Sequence, residues 1–397
     1  MDDSKKTISK IIVFLYLVIF PFGQLLRFDL NLLSQSITVQ PVDLITGIAF
    51  VYLLYKKIYK PVFYKYLKGF FIYLTFSLLI SLVIFKFKTG FLGTFYLIRL
   101  LFYSSFFLLI YDLVKNNKKL KSIIYDSLIV ILVFVGIFGW IQYFLYPDLR
   151  SFLIWGWDDH LFRLVGTFLD PGFTSIFLVF GFLLSLDKYL RTKNKYLLLL
   201  LVFFFMTLGF TYSRAGYLAL LAGISAILVI KKRVKWFIIL VLALVLMVFL
   251  LPRPSSEGVK LERAFSIVLR LKNYKETLII WKNSPLFGVG YNNLCFARNK
   301  FIADVSNLSH SCSGSDSSIL TLLATTGILG LILFIEFIKE VIKSIDYKSF
   351  GTAFLVCTTA LFIHSLFVNS LFYAWVMGIM GILLAITIKD SKERISK

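Results

Sequence analysis

The chain contains about twelve apolar stretches separated by polar segments rich in lysine and arginine. A hydrocarbon layer is roughly 30 Å thick, and a helix of about twenty apolar residues crosses it. Hydrophobic residues occupy 59% of the 397 positions, far more than a soluble core of this size requires. The sequence therefore predicts an all-α polytopic membrane protein with about twelve transmembrane helices, organised as one integral membrane domain over residues 1–397.

The predicted spans end where polar or charged residues interrupt the apolar runs. The first stretch is followed by no small-residue cleavage site, so we expect a spanning helix there and not a removed signal peptide. Tyr196–Ile230 is too long for one helix, and the polar residues around Ser213 divide it into two. The predicted spans cover residues 10–27, 42–59, 69–86, 91–113, 122–146, 167–187, 196–210, 215–230, 236–251, 316–338, 350–368 and 371–388.

The distribution of lysine and arginine predicts the orientation. Of the 43 basic residues, 27 fall in the tails and five short loops on one side, and 15 fall on the other side, nine of them in a single long loop. The positive-inside rule then predicts that both termini are cytoplasmic and that the protein lies in the cytoplasmic membrane. Topology and attraction to anionic lipid headgroups account for the net charge of +22, so we expect membrane lipids and no nucleic acid as partners.

One loop is much longer than the others: residues 252–315, predicted to be extracytoplasmic. Apolar residues recur at helical intervals from Lys260 to Asn283, and Pro285 ends the run. Two interpretations remain open. The segment is either an amphipathic helix resting on the bilayer, or a helix whose face presents Arg263 and Arg270 to a site.

Several arginines lie at or near the predicted outer surface, where each desolvated guanidinium costs free energy. A diphosphate would suit such a cluster, because the planar guanidinium group binds phosphate oxygens in bidentate fashion and keeps its charge. A structural ion pair is the alternative for Arg99, and simple snorkelling is the alternative for Arg214. No Asp-x-Asp triplet or zinc-type His/Cys spacing occurs, so we expect a site with neither metal nor other cofactor. The candidate arginines are Arg99, Arg163, Arg214 and Arg270.

Four motifs occur in order over residues 163–335: "RLVGTFLDPGF", "TYSRAGYLALLAG", "RLKNYKETLIIWKNSPLFGVG" and "SSILTLLATTGILG". Their order and their positions relative to the spans resemble the O-antigen polymerase and O-antigen ligase superfamily of integral-membrane glycosyltransferases. The family pattern has an arginine fifteen residues before the proline of the third motif, where Arg270 precedes Pro285. Arg214 matches the family's Ser-Arg element.

The resemblance implies transfer of a glycan from an undecaprenyl diphosphate carrier to an acceptor hydroxyl at the outer face, without a metal. Arg163, Arg214, Arg270 and Arg99 would hold the diphosphate, and His310 or Asp316 would accept the proton. The family's ligases have a histidine where this chain has Asp316, and this departure favours a polymerase. An exposed loop histidine is the alternative for His310, and a helix N-cap is the alternative for Asp316.

We therefore expect a surface-polysaccharide polymerase that uses a lipid-linked glycan, an acceptor glycan and a chain-length regulator as partners. An O-antigen ligase acting on a lipid A core or another acceptor is the alternative within the family. A transporter of lipid-linked sugars is the alternative from another class, but such proteins tend to have two related halves, which this sequence lacks. Cys295 and Cys312 either form a disulfide or remain free thiols.

Overall fold

A computed structural model describes residues 2–32, 35–85, 93–254, 256–262, 264–302 and 314–389. Within these ranges twelve apolar helices correspond one by one to the twelve predicted spans. Six of them are long and apolar enough to cross a bilayer, the first together with the 3₁₀ segment that follows it. The prediction of an all-α polytopic membrane protein is confirmed. The α-helices are α1 Asp2–Ile19, α2 Pro41–Leu54, α3 Tyr64–Ile84, α4 Gly93–Val114, α5 Lys118–Leu145, α6 Pro171–Thr192, α7 Tyr196–Gly209, α8 Arg214–Ile230, α9 Phe237–Leu250, α10 Phe265–Lys282, α11 Leu294–Phe301, α12 Ser318–Lys343, α13 Gly351–Ser365 and α14 Ala374–Thr387.

The predicted long loop contains α10 and α11. The prediction for α10 was right about the helix, which begins five residues later than expected. The apolar residues that recur at helical intervals do not form the face that is buried in the protein. Val268 and Leu271 are each 60% exposed, whereas Asn273, Thr277 and Ile280 are buried against the rest of the protein. The helix therefore packs through a partly polar face and leaves an apolar face outside.

A short β-hairpin lies between α1 and α2, where the sequence analysis assigned no element. Its strands, Phe28–Leu32 and Gln35–Val39, pair antiparallel with Phe28 opposite Val39. The alternation of polar and apolar residues in "FDLNL" suits a strand and not a helix. A 3₁₀ segment over Phe20–Leu26 extends the first span up to the hairpin.

Small residues allow the central helices to pack closely. α8 packs extensively against α13, and α6 contacts both of them. At Gly223 an added Cβ would lie 2.5 Å from Leu183 and 3.3 Å from the Cβ of Ala360, so only glycine fits this crossing of α6, α8 and α13. Close backbone approach of this kind is how helices associate where burial in lipid offers no hydrophobic gain.

The long helix α12 is broken at Gly327, whose φ of 68° is in the left-handed region. The segment 285–290, which follows α10, lies against this break. The N–H of Ile328 donates to the carbonyl of Pro285 at 2.9 Å, and the N–H of Gly290 donates to the carbonyl of Thr325 at the same distance. Since Gly327 is nine residues after Ser318, the segment reaches about 14 Å along α12. α10 and the start of α12 are thereby joined.

A topology experiment tests the predicted orientation. A reporter fused after Lys282 is expected to lie outside the cytoplasm, and reporters after Lys60 or Lys193 inside it, because of the lysine and arginine bias. Cys295 is disulfide-bonded, as suits an oxidising compartment. Its predicted partner, Cys312, lies outside the described residues. A cytoplasmic signal at Lys282 would contradict the outer location of the whole site.

Candidate active site

A cavity of about 760 Å³ lies where the segment between α5 and α6 meets the start of α8, the first half of α10 and the residues before α12. Its lining includes four of the six side chains singled out from the sequence: Arg163, Arg214, Arg270 and Asp316. His310, the fifth, lies outside the described residues. The sixth, Arg99, is not part of this lining.

Arg163 is buried at the wall of the cavity and is held by backbone carbonyls. Its Nε donates to the carbonyl of Thr211 at 3.1 Å, and its Nη2 donates to that of Tyr212 at 3.3 Å. These carbonyls lie at the polar break between α7 and α8, which the sequence analysis placed at the same residues. The break therefore orients one cationic side chain toward the cavity.

Arg214 is the first residue of α8. The hydroxyl of Ser213 caps this helix by accepting from the N–H of Gly216 at 3.2 Å. The guanidinium donates to the carbonyl of Leu261 at 3.2 Å and to the hydroxyl of Ser266. Arg214 thus connects α8 to the chain leading into α10, and its cation lines the cavity.

Arg270, in the first half of α10, differs from the other two arginines. Its side chain is partly buried, and within the described ranges it has no hydrogen-bond or ion-pair partner. It lies close enough to Arg214 for the two positive charges to oppose each other. Like charges facing one cavity are costly unless an anion lies between them, so this arrangement favours an anionic ligand.

Asp316 faces the same cavity from the segment before α12. Its backbone N–H donates to Oδ1 of Asn273 at 3.0 Å, which ties this segment to α10. The alternative that Asp316 caps α12 is wrong, because Ser317 is the N-cap and accepts from the N–H of Leu320. Burial raises the pKa of the Asp316 carboxyl, while Arg270 and Arg298 act against that rise. Its carboxylate accepts no hydrogen bond from the part of the chain that the structure describes.

Arg99 takes part in a different arrangement. Its Nη2 lies 2.7 Å from Oδ2 of Asp43 and 2.6 Å from the carbonyl of Thr38. Together with Asp43 it lines a separate, mainly apolar cavity between α2 and α4. The structural pair left open from the sequence is therefore present, and a role for Arg99 in holding a diphosphate stays a prediction.

Sequence reasoning missed a second group in the cavity. The ligand atoms of Asp158, His160 and Asp170 all lie within 4.8 Å of one another, close enough to hold a metal ion. Asp170 also caps α6, with Oδ1 accepting from the N–H of Phe173 at 2.8 Å, and burial raises the pKa of its carboxyl. A helix N-terminus and the neighbouring Arg163 both disfavour a cation here. The run Asp158-Asp159-His160, just before the first family motif, was the available signal.

The fold and the cavity define a polytopic membrane protein that gathers guanidinium groups and carboxylates around one cavity. Residues 198–335 match the family model described as O-antigen ligase, and this match supports the resemblance to the O-antigen ligase and polymerase superfamily. The matched region includes Arg214, Arg270 and Asp316 and ends before α13. No curated protein matches the chain.

Proposed function

We propose that this protein is a surface-polysaccharide polymerase of the cytoplasmic membrane. It transfers glycan repeat units from an undecaprenyl diphosphate carrier to an acceptor sugar hydroxyl at the outer face. One observation carries the proposal: the guanidinium of Arg270 is partly buried and without a partner among the described residues, and it lines a cavity together with Arg214 and Asp316. A bound diphosphate would neutralise this pair of arginines.

The arginines supply what the leaving group needs. When the bond between the sugar C1 and the diphosphate oxygen breaks, negative charge develops on that oxygen, and Arg214 and Arg270 stabilise it. Arg163 lies on the same wall and extends the positive surface. A cavity of about 760 Å³ is within the range of roughly 300–1,000 Å³ typical of small-molecule sites. The carrier's isoprenoid chain would remain in the lipid.

Asp316 is the proposed general base. The acceptor hydroxyl attacks C1 and gives its proton to the carboxylate, so that undecaprenyl diphosphate leaves and the new glycosidic bond forms. Burial, which raises the pKa of Asp316, makes the carboxylate a stronger base than an exposed aspartate. His310 remains the second possible base.

The position of Asp316 also favours polymerase over ligase, because ligases of the family have histidine there. A ligase that uses lipid A core as acceptor is the second possibility within the family. We further propose that no metal takes part, since three arginines can neutralise the diphosphate. A chain-length regulator is the expected protein partner.

The proposal predicts polymer formation by the purified protein. In nanodiscs supplied with undecaprenyl diphosphate-linked repeat units, we expect a ladder of products on a carbohydrate gel, unchanged by EDTA. Loss of the ladder in EDTA would overturn the metal-free step and point to Asp158, His160 and Asp170. Product seen only after adding lipid A core would favour the ligase. Movement of intact substrate across proteoliposomes without any product would favour the transporter.

A further inference from the structure

Another cavity, which shares no lining residue with the candidate active site, lies between the end of α2, the start of α3 and α4. It has a volume of about 720 Å³, and four lysines line its mouth: Lys56, Lys57, Lys60 and Lys68. Lys56, Lys57 and Lys60 belong to the α2–α3 connection, and Lys68 lies near the start of α3. All four fall in one of the short basic segments predicted to be cytoplasmic. The cavity therefore opens on the lysine-rich side of the membrane.

The charges at this mouth are only partly neutralised. Lys56 forms an ion pair with Asp112 at 2.9 Å. Lys57, Lys60 and Lys68 have no carboxylate within ion-pair distance among the residues that the structure describes, although Lys60 lies 4.5 Å from the ring centre of Tyr64. About three positive charges around the opening therefore have no neighbouring negative charge. An anionic group of matching size would neutralise them.

Below the lysines the lining becomes mainly apolar and follows the helices inward. Phe71 of α3 and Leu101 and Leu108 of α4 belong to this deeper part. Ser104, also in the lining, is ten residues from Val114 at the end of α4, which corresponds to a depth of about 15 Å. That depth equals half of a hydrocarbon layer roughly 30 Å thick, the length available to one acyl chain.

We propose that this cavity binds one anionic phospholipid of the lysine-side leaflet, with its phosphate among Lys57, Lys60 and Lys68 and an acyl chain between α3 and α4. Charge complementarity at the mouth and an apolar path of one leaflet's depth both favour this occupant over a soluble anion. Basic pockets between transmembrane helices are known to select lipid headgroups in this way. The lipid would fix the inner ends of α2, α3 and α4 without touching the outer cavity.

The test compares lipid binding by the purified protein in mild detergent. Phosphatidylglycerol is expected to raise the thermal unfolding midpoint by a few degrees and to be retained as one bound molecule in native mass spectrometry. Phosphatidylcholine and inorganic phosphate are expected to do neither. Equal stabilisation by phosphatidylcholine would overturn the charge argument, and equal stabilisation by inorganic phosphate would overturn the lipid assignment.

Two variants and a matched control locate the effect. The triple variant Lys57→Ala, Lys60→Ala, Lys68→Ala should lose the phosphatidylglycerol shift. A triple variant of Lys118, Lys119 and Lys195 to Ala removes the same charge from exposed lysines elsewhere on that side and should keep the shift. Ser104→Phe, which fills the deeper part and spares the lysines, should weaken binding as well. A shift of equal size in all three variants would refute the site.

Discussion

Arg270→Ala is expected to lower polymer formation by on the order of 100- to 1,000-fold, the usual cost of removing one donor that stabilises a developing oxyanion. Its guanidinium has no partner among the described residues, so its loss should leave the fold intact. Arg270→Lys should recover little of the rate, because an ammonium group cannot reproduce the two parallel hydrogen bonds of a guanidinium group. The measurement is polymer yield from purified lipid-linked repeat units at equal protein concentration.

The same helix offers a matched control. Lys275 is exposed and does not line the cavity, so Lys275→Ala removes a positive charge from α10 and should retain wild-type yield. Arg214→Ala should also be inactive, but it breaks contacts with Leu261 and Ser266 and is therefore less specific. Wild-type polymer length in Arg270→Ala, with unchanged expression, would remove Arg270 from the diphosphate site.

Asp316→Asn is expected to reduce transfer by on the order of 100- to 10,000-fold, as removal of a general base typically does. Ser317 caps α12, and the bond from residue 316 to Asn273 uses a backbone N–H, so the substitution keeps both structural contacts. The raised pKa of Asp316 also predicts a pH dependence. The base must be deprotonated, so the rate should fall with decreasing pH at a pH above the usual range of an aspartate.

Two further variants separate the possible bases. Ser317→Ala removes the actual N-cap and controls for loss of activity through helix fraying; we expect it to lose about 1 kcal/mol of stability and to keep transfer. His310→Gln should reduce transfer but leave it measurable. Full activity in Asp316→Asn together with an inactive His310→Gln would reverse the assignment. Full activity in both would mean that neither residue is the base.

The transmembrane helices could be predicted because hydropathy is a property of each segment alone. Arg99 shows the limit of that reasoning. Any buried guanidinium needs a partner, and Asp43 is separated from it by a long stretch of chain, so the sequence could not distinguish an ion pair from a ligand site. Similarly, Asp316 and Ser317 are both favoured at N-caps, and only the backbone geometry decides between them.

The cavity itself was only partly predictable. Arg214 and Arg270 could be singled out because each lies in a family motif. Asp158 and His160 approach Asp170 only through the fold of the α5–α6 connection. In that connection the N–H of Leu149 donates to the carbonyl of His160. The buried face of α10 could not be predicted from hydrophobicity either. Asn273 is buried there because it accepts from Ser315 and Asp316, a requirement that no periodicity reveals.

The break at Gly327 constrains how the protein is assembled in the membrane. Backbone groups without partners cost several kcal/mol each in hydrocarbon, and the carbonyls of Ala324 and Thr325 find theirs in the N–H groups of Val289 and Gly290. Those donors precede α12 in the chain and are already synthesised when it leaves the ribosome. We therefore expect helix α12 to insert together with the segment 285–290, as one unit.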